Sequence, residues 1–315
     1  MLLQYPKETV IQSGNGLRVS VLDVGAGLHT IHVPSDDGPV PVILNYASPT
    51  SYLADPFCVG STVGPVANRI GGAAFSLNGQ RYHLEANETE HGNCLHSGER
   101  GLHRTRFETR LRDGGQGITF EAPVADRADG FPGNRRFTIT YEFIDDWSLA
   151  IRFLVNTDHD TPVNLANHAY FNLGGSIDDH QIRVQADAYL PVGDTLVPTG
   201  TVASVQDTPF DLRRWQMLGH RSIDHNFVLR ESSGQLRPAV DLRSTLTNLQ
   251  LSISSTQPGL QVYTGDSLSH PFSPRAGICF EAQGFPDALN QAGFPSTILR
   301  AGEEYQQTTV YRFTP

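Results

Sequence analysis

Apolar and polar side chains alternate with a period of two along much of the chain. Residues 137–143 (Phe-Thr-Ile-Thr-Tyr-Glu-Phe) keep the alternation throughout. Residues 17–22, 149–155 and 249–253 behave similarly. Successive side chains of a strand point to opposite faces, so this period predicts strands with one buried and one solvated face. Phe75-Ser-Leu77 and Gln80-Arg-Tyr-His-Leu84 flank Asn78-Gly79. Both central residues of a type I′ turn need positive φ, which Asn-Gly supplies cheaply, so a hairpin is predicted there. Helical periodicity is scarce; residues 213–218 and 287–291 are each expected to make a turn or two of helix. Turn residues recur at Gly14-Asn-Gly16, Asp36-Asp-Gly-Pro39, Asp113-Gly-Gly115, Gly130-Phe-Pro-Gly133 and Gly174-Gly175. No linker, repeat or charge run divides the chain. The expectation is an all-β fold, one large antiparallel β-sandwich, with residues 1–315 forming a single domain.

Composition narrows the chemistry. The chain has 315 residues with 33 acidic and 23 basic side chains, a net charge of −10. Length alone, at ~150 residues per domain, would also allow two domains. Lys7 is the single lysine, and the other basic residues are arginines. A Schiff-base, pyridoxal-phosphate or P-loop lysine would have to be Lys7, whose neighbours Pro6 and Glu8 fit none of these. The acidic balance argues against a nucleic-acid partner, which needs a basic face. Three cysteines, Cys58, Cys94 and Cys279, suit a reducing, cytoplasmic setting better than a disulfide framework. No signal peptide and no membrane partner are expected, since neither a basic-then-apolar start nor a run of ~18 apolar residues occurs.

Several familiar patterns fail on inspection. Gly25-Ala-Gly27 follows a strand but lacks the third glycine and the helix of a dinucleotide site. No Gly-x-Ser-x-Gly elbow is present. His91-Gly-Asn-Cys94-Leu-His96 offers metal-capable side chains without a recognisable four-ligand spacing, so no metal is expected. Asn87-Glu88-Thr89 is a glycosylation sequon without a secretory context, and reads as chance.

Four polar clusters interrupt the strand pattern. They are Gly64-Pro-Val-Ala-Asn68-Arg69-Ile70, Gly92-Asn-Cys-Leu95-His96-Ser-Gly98, Asn164-Leu-Ala-Asn167-His168-Ala-Tyr170-Phe-Asn172-Leu-Gly-Gly175, and Gly277-Ile-Cys-Phe-Glu281-Ala-Gln283-Gly-Phe-Pro286-Asp287 followed by Phe294-Pro-Ser-Thr297. A shorter one is Ile223-Asp224-His225-Asn226-Phe227. An arginine, histidines, carboxylates and amides together suit a neutral polyhydroxylated ligand. A histidine and a glutamate also make a general acid/base pair, although His168 and Glu281 lie 113 positions apart, so only the fold can bring them together. Taken one at a time, each cluster also reads as a turn-rich strand end whose amides cap backbone groups.

In order and over most of the chain, these segments resemble the aldose 1-epimerase (galactose mutarotase) family. The resemblance is carried by Asn68-Arg69-Ile70 running to the Asn78-Gly79 turn, by Asn93 to Gly98, by Asn167 to Leu173, and by Asp224 to Phe227. It continues through Glu281 to Asp287 and Phe294 to Tyr305. It implies a β-supersandwich acting on a small free aldose, with no cofactor and no metal, as a monomer or homodimer. By the same resemblance His168 is the general acid on the ring oxygen and Glu281 the general base on the anomeric hydroxyl. Arg69, His96, Asp224 and Asn68 would hold the sugar. Pro65, Ser97 and Gly284 depart from the family pattern and are expected to alter the cleft rim.

The resulting expectation is α/β anomer interconversion by ring opening and closure. It needs one group protonated and the other ionised, which unperturbed histidine (~6.5) and glutamate (~4.3) provide in mildly acidic to neutral solution. A neighbouring carboxylate is expected to raise the histidine value. Two alternatives stand beside it. A hexose-6-phosphate 1-epimerase would need further arginines, such as Arg100, Arg104 or Arg275, beside Arg69. A non-catalytic carbohydrate-binding sandwich would need no His168 and Glu281 pair.

Overall fold

A computed structural model of the chain describes residues 5–231 and 234–315, with Asp113 described by its backbone only. The alternating segments are strands. Residues 137–143 lie within Arg135–Asp145, and 149–155 within Ser148–Thr157, an antiparallel pair. Residues 17–22 and 249–253 match the strands Arg18–Leu22 and Gln250–Ser255 save for their first residues. Ala74–Leu77 and Gln80–His83 form the expected hairpin, with φ of 50° at Asn78 and 77° at Gly79.

Among the described residues the strands assemble into two main sheets and a four-stranded one at the N-terminal end. The nine-stranded sheet runs, in spatial order, Glu108–Leu111, Gly117–Val124, Arg135–Asp145, Ser148–Thr157, Glu304–Thr314, Gln250–Ser255, Arg237–Ser244, His180–Val184, Gln216–Met217. The six-stranded sheet runs Tyr170–Phe171, Ile278–Gln283, Gly259–Tyr263, Asp224–Leu229, Ala186–Leu190, Ala203–Ser204. Pairing along both is antiparallel. The sheets pack face to face through one apolar cluster that spans Ile11 to Phe313. Phe171 links them, stacking on Phe280 of its own sheet at 6.1 Å and meeting the Tyr311 ring of the other edge-on at 5.2 Å.

Neither expected helical segment is helical. Gln216–Met217 instead extends the nine-stranded sheet beside His180–Val184. Residues 287–291 form turns in which the Asp287 carboxylate accepts from Gly71 N, Asn290 Nδ2 and Gln291 Nε2. Sheet pairing in one case, and side-chain capping in the other, replace the hydrogen bonds a helix would make. Among the described residues no helix is long and apolar enough to cross a membrane.

One strand decides where the chemistry sits. In Ile278–Gln283 every residue is buried, on both faces. Ile278, Phe280 and Ala282 point into the inter-sheet core, while the alternate positions Cys279, Glu281 and Gln283 face the opposite side. Loops seal that side, so polar groups that strand geometry would normally leave in water are enclosed. Truncating Phe280, 1% exposed on the core face, is expected to cost about 3–5 kcal/mol. Urea unfolding of Phe280→Ala against wild type measures this.

Candidate active site

The enclosed side of that strand opens into a cavity of about 290 Å³ lined by Asn68, Arg69, Glu88, His96, His168, Asp224 and Glu281, with Phe57, Tyr170, Leu196 and Tyr263 among the less polar walls. Ligand pockets commonly run ~300–1,000 Å³, so this one suits a single small molecule. All six residues expected from the sequence line it.

His168 leaves the short strand Ala166–Asn167, whose partner is Thr62–Val63. Its backbone is pinned, with N donating to Ser61 O at 2.9 Å and O accepting from Gly60 N at 3.0 Å. Asn167 does not face the ligand. It points into the core, where Nδ2 donates to Gly60 O at 2.8 Å and Oδ1 accepts from Ala169 N at 3.1 Å. The motif is therefore a brace followed by a functional residue. His168 Nε2 stands 3.7 Å from Glu281 Oε1, and Nδ1 lies 3.5 Å from the Cys279 sulfur. Glu281 Oε2 is buried with no hydrogen-bond partner. An unpartnered buried carboxylate oxygen is costly to keep, which marks it as reserved for something that binds.

Burial governs both groups. It raises the Glu281 carboxyl to about 8, with Asp224 adding to the rise and Arg69 opposing it. It lowers His168 to about 4. This corrects the expectation of a histidine raised by its carboxylate neighbour. Loss of hydration penalises the charged form of each, and that outweighs their mutual attraction. Between these limits the pair still holds one proton, carried on Glu281.

His96 is a different kind of histidine. Asn68 N donates to its Nδ1 at 3.1 Å, and His96 N donates to Asn68 O at 3.1 Å. Burial, then the neighbouring His168, His103 and Arg69, push His96 well below its ordinary value, so it is neutral. With Nδ1 accepting, its proton sits on Nε2. That makes His96 a hydrogen-bond donor. His96, His168 and Glu281 are close enough to bracket a cation, with ligand atoms within 4.8 Å of one another. The donor set does not fit one. His96 Nδ1 is taken by the Asn68 N–H, and freeing a lone pair on Nε2 would set an Nδ1 proton against that same N–H.

Arg69 is held by carboxylates on two sides. Its Nε donates to Glu88 Oε1 at 2.9 Å, and NH1 lies 3.6 Å from Asp224 Oδ2. Gln261, on the neighbouring strand, donates to Asp224 Oδ1 at 2.6 Å and sits directly opposite Glu281. Sequence reasoning missed Glu88 and Gln261. Glu88 was hidden inside the apparent sequon, whose Asn87 instead trades hydrogen bonds with the backbone of Leu95.

Pro65, Ser97 and Gly284, the three departures from the family pattern, are not among the residues lining the cavity. Ser97 takes a left-handed φ of 67° and its hydroxyl grips both Val66 N and Val66 O, at 2.9 and 3.0 Å. A Cβ on Gly284 would stand 2.9 Å from Thr297 Cγ2, and its N–H donates to Asn164 Oδ1 at 2.7 Å. Pro65 O accepts from Asn164 N at 2.7 Å.

Comparison with known proteins gives the family. The pattern of the aldose 1-epimerase family matches residues 7–312. A galactose mutarotase from Homo sapiens is 36% identical over 318 residues, covering 95% of this chain and 91% of the relative. An aldose 1-epimerase from Escherichia coli strain K12 is 31% identical over 327 residues, covering 96% and 94%. Among solved structures, an aldose epimerase homologue from C. elegans superposes with a TM-score of 0.92 at 27% identity, covering 98% of this chain and 99% of that one. A galactose 1-epimerase from Lactobacillus acidophilus NCFM gives 0.86 at 26% identity, covering 98% and 94%. On sequence and on fold alike, the chain belongs to the aldose 1-epimerase family.

Proposed function

We propose that this protein interconverts the α and β anomers of a free aldose. The observation that carries the reading is a buried histidine–glutamate pair, 3.7 Å apart, lining a monosaccharide-sized cavity. Mutarotation needs a proton taken from the anomeric hydroxyl and one delivered to the ring oxygen. Once the pair's proton has passed from Glu281 to His168 in the sugar-bound site, Glu281 takes the first and His168 delivers the second. The C1–O5 bond then breaks and an aldehyde forms at C1. Rotation about C1–C2 presents its other face. On closure His168 removes the proton from the O5 hydroxyl, and Glu281 returns one to the former carbonyl oxygen. The proton count of the pair never changes over a cycle. Ring closure starts from protonated Glu281 and neutral His168, the state that burial favours in the empty site.

Arg69, Asp224, Asn68 and His96 bind the sugar hydroxyls in this reading. The Nε2–H of His96 donates, and the outer carboxylate oxygens of Asp224 accept. Buried free thiols at Cys58, Cys94 and Cys279 support a reducing, cytoplasmic setting. The apolar cluster that runs from Ile11 to Phe313 supports one catalytic unit over residues 1–315, acting as a monomer or homodimer. A phosphorylated sugar fits less well. Among the described residues Arg69 is the one guanidinium lining the cavity, and it is already flanked by Glu88 and Asp224. Arg275 is engaged by Asp178 and Asp266, and Arg104 by Glu99 and the Leu53 carbonyl. A purely binding sandwich has no use for a carboxyl buried at this cost.

Polarimetry or exchange NMR on freshly dissolved α-glucose, α-galactose, xylose and arabinose tests the activity; acceleration of hexose 6-phosphate alone would overturn the reading. Glu281→Gln and His168→Gln are each expected to lower kcat by at least about 100-fold while sugar affinity stays within about threefold. Turnover near wild type in either variant removes that residue from its role.

The rate is expected to stay flat between about pH 4 and about pH 8. Below the lower limit a second proton leaves no base; above the upper limit the last proton is lost and no acid remains. Stability follows the same titration. The Glu281 value is raised on folding, so its contribution is fully present below its ordinary 4.5 and is lost as pH rises through about 8. The melting-temperature difference, Glu281→Gln minus wild type, should therefore grow as pH rises across that interval. A difference independent of pH would contradict it.

A further inference from the structure

The polar chain that holds Arg69 does not end at Glu88. Asn93 Nδ2 donates to Glu88 Oε2 at 2.8 Å and to the backbone oxygen of Thr195 at 2.8 Å. Thr195 belongs to the hairpin of residues 191–200, in which Gly193 N donates to Val197 O and Thr199 N to Pro191 O, both at 2.9 Å. Gln291 Nε2 pins the other arm through Pro198 O at 3.2 Å. At the tip stands Leu196, the residue of this hairpin that lines the cavity.

Leu196 is unusual in two ways. Its φ is +59°, a left-handed conformation that a bulky side chain rarely takes and that glycine takes freely. It is also 36% exposed, so core packing does not account for a leucine there. A strained position is kept when the surrounding structure over-determines it, and such positions cluster at ligand clamps. The surroundings here are the hydrogen bonds just described, which run without a break from the hairpin to the guanidinium. The cavity is rich in donors and acceptors, with Leu196, Phe57, Tyr170 and Tyr263 as its less polar walls, and a pyranose also presents an apolar face of C–H groups.

We propose that Leu196 is a substrate-contacting residue that packs on the C–H face of the bound aldose, and that Glu88 and Asn93 are positioning residues tying its hairpin to Arg69. This rests on the mutarotase reading above. The contact is the same before and after ring opening, so it supplies uniform binding, which sets KM and leaves kcat alone.

The test is polarimetric kinetics on glucose and galactose, with thermal melts, for wild type, Leu196→Ala, Leu196→Gly, Glu88→Gln and the Leu196→Ala/Glu88→Gln double variant. Both Leu196 variants are expected to raise KM about 3–10-fold with kcat within about twofold. Leu196→Gly should melt no lower than Leu196→Ala, because glycine relieves the left-handed strain; a leucine that merely stabilised the hairpin would move stability and leave KM alone. The double variant should raise KM by less than the product of its single effects, since the residues share one network. An unchanged KM in both Leu196 variants overturns the contact, and strictly multiplying effects overturn the tie to Arg69. A wild type inactive on every aldose would count against the proposed function instead. The contact would then be read from NMR titration with the same sugars, where equal affinity of wild type and Leu196→Ala overturns it.

Discussion

A carboxyl with one oxygen left unpartnered, shut away from water beside an imidazole, sets the terms for the rest of this molecule. Burial opposes the charged form of both Glu281 and His168, so the pair settles into a neutral state with one proton between its members. A proton shared in a dry site suits a reaction that moves one proton on and another off the same small molecule. It also carries a standing cost, because the orphaned Oε2 has nothing to bond until a ligand arrives. The sandwich bears that cost through its continuous apolar core, and the strand carrying Glu281 contributes Phe280 to the core from its other face.

Around this pair the walls are rigid for local reasons. Asn68, His96, Ser97 and Gly98 all take left-handed backbone conformations, which fold two chain segments into one corner. The Ser97 hydroxyl and the Asn68–His96 hydrogen bonds hold that corner closed. The same backbone N–H that orients His96 fixes its tautomer, and so determines that the ring donates rather than coordinates. Carboxylates on two sides of Arg69 keep it from acting as a free cation. One structural principle recurs: residues lining the cavity are aimed by hydrogen-bonded partners, some behind its wall and some, like Glu88, within it. Asn167 braces His168, Gln261 holds Asp224, and Glu88 holds Arg69.

Much of this was legible before any coordinates. The period of two located the long strands, because alternation reflects which side of a sheet meets the core. Asn78-Gly79 specified its own turn through the positive φ both residues tolerate. The acid/base pair and its four companions followed from motifs in register. The helical turns expected at 213–218 and 287–291 failed because their few side chains fit a short amphipathic pattern, while sheet pairing and the Asp287 carboxylate claimed the same backbone.

The sequence by itself determined the long strands, the family and the candidate site residues, since each is encoded within a few consecutive residues. Tertiary structure decided what no local pattern contains. It sealed the second face of Ile278–Gln283, so that an ordinary alternation became a row of buried polar groups. It set the His168–Glu281 separation, and by removing water it reversed where their shared proton rests. It also drew Glu88, Asn93 and the hairpin of residues 191–200 into one hydrogen-bonded chain around Arg69. Desolvation and distance depend on what packs against a residue from far along the chain, and that is known only once the sheets have closed on each other.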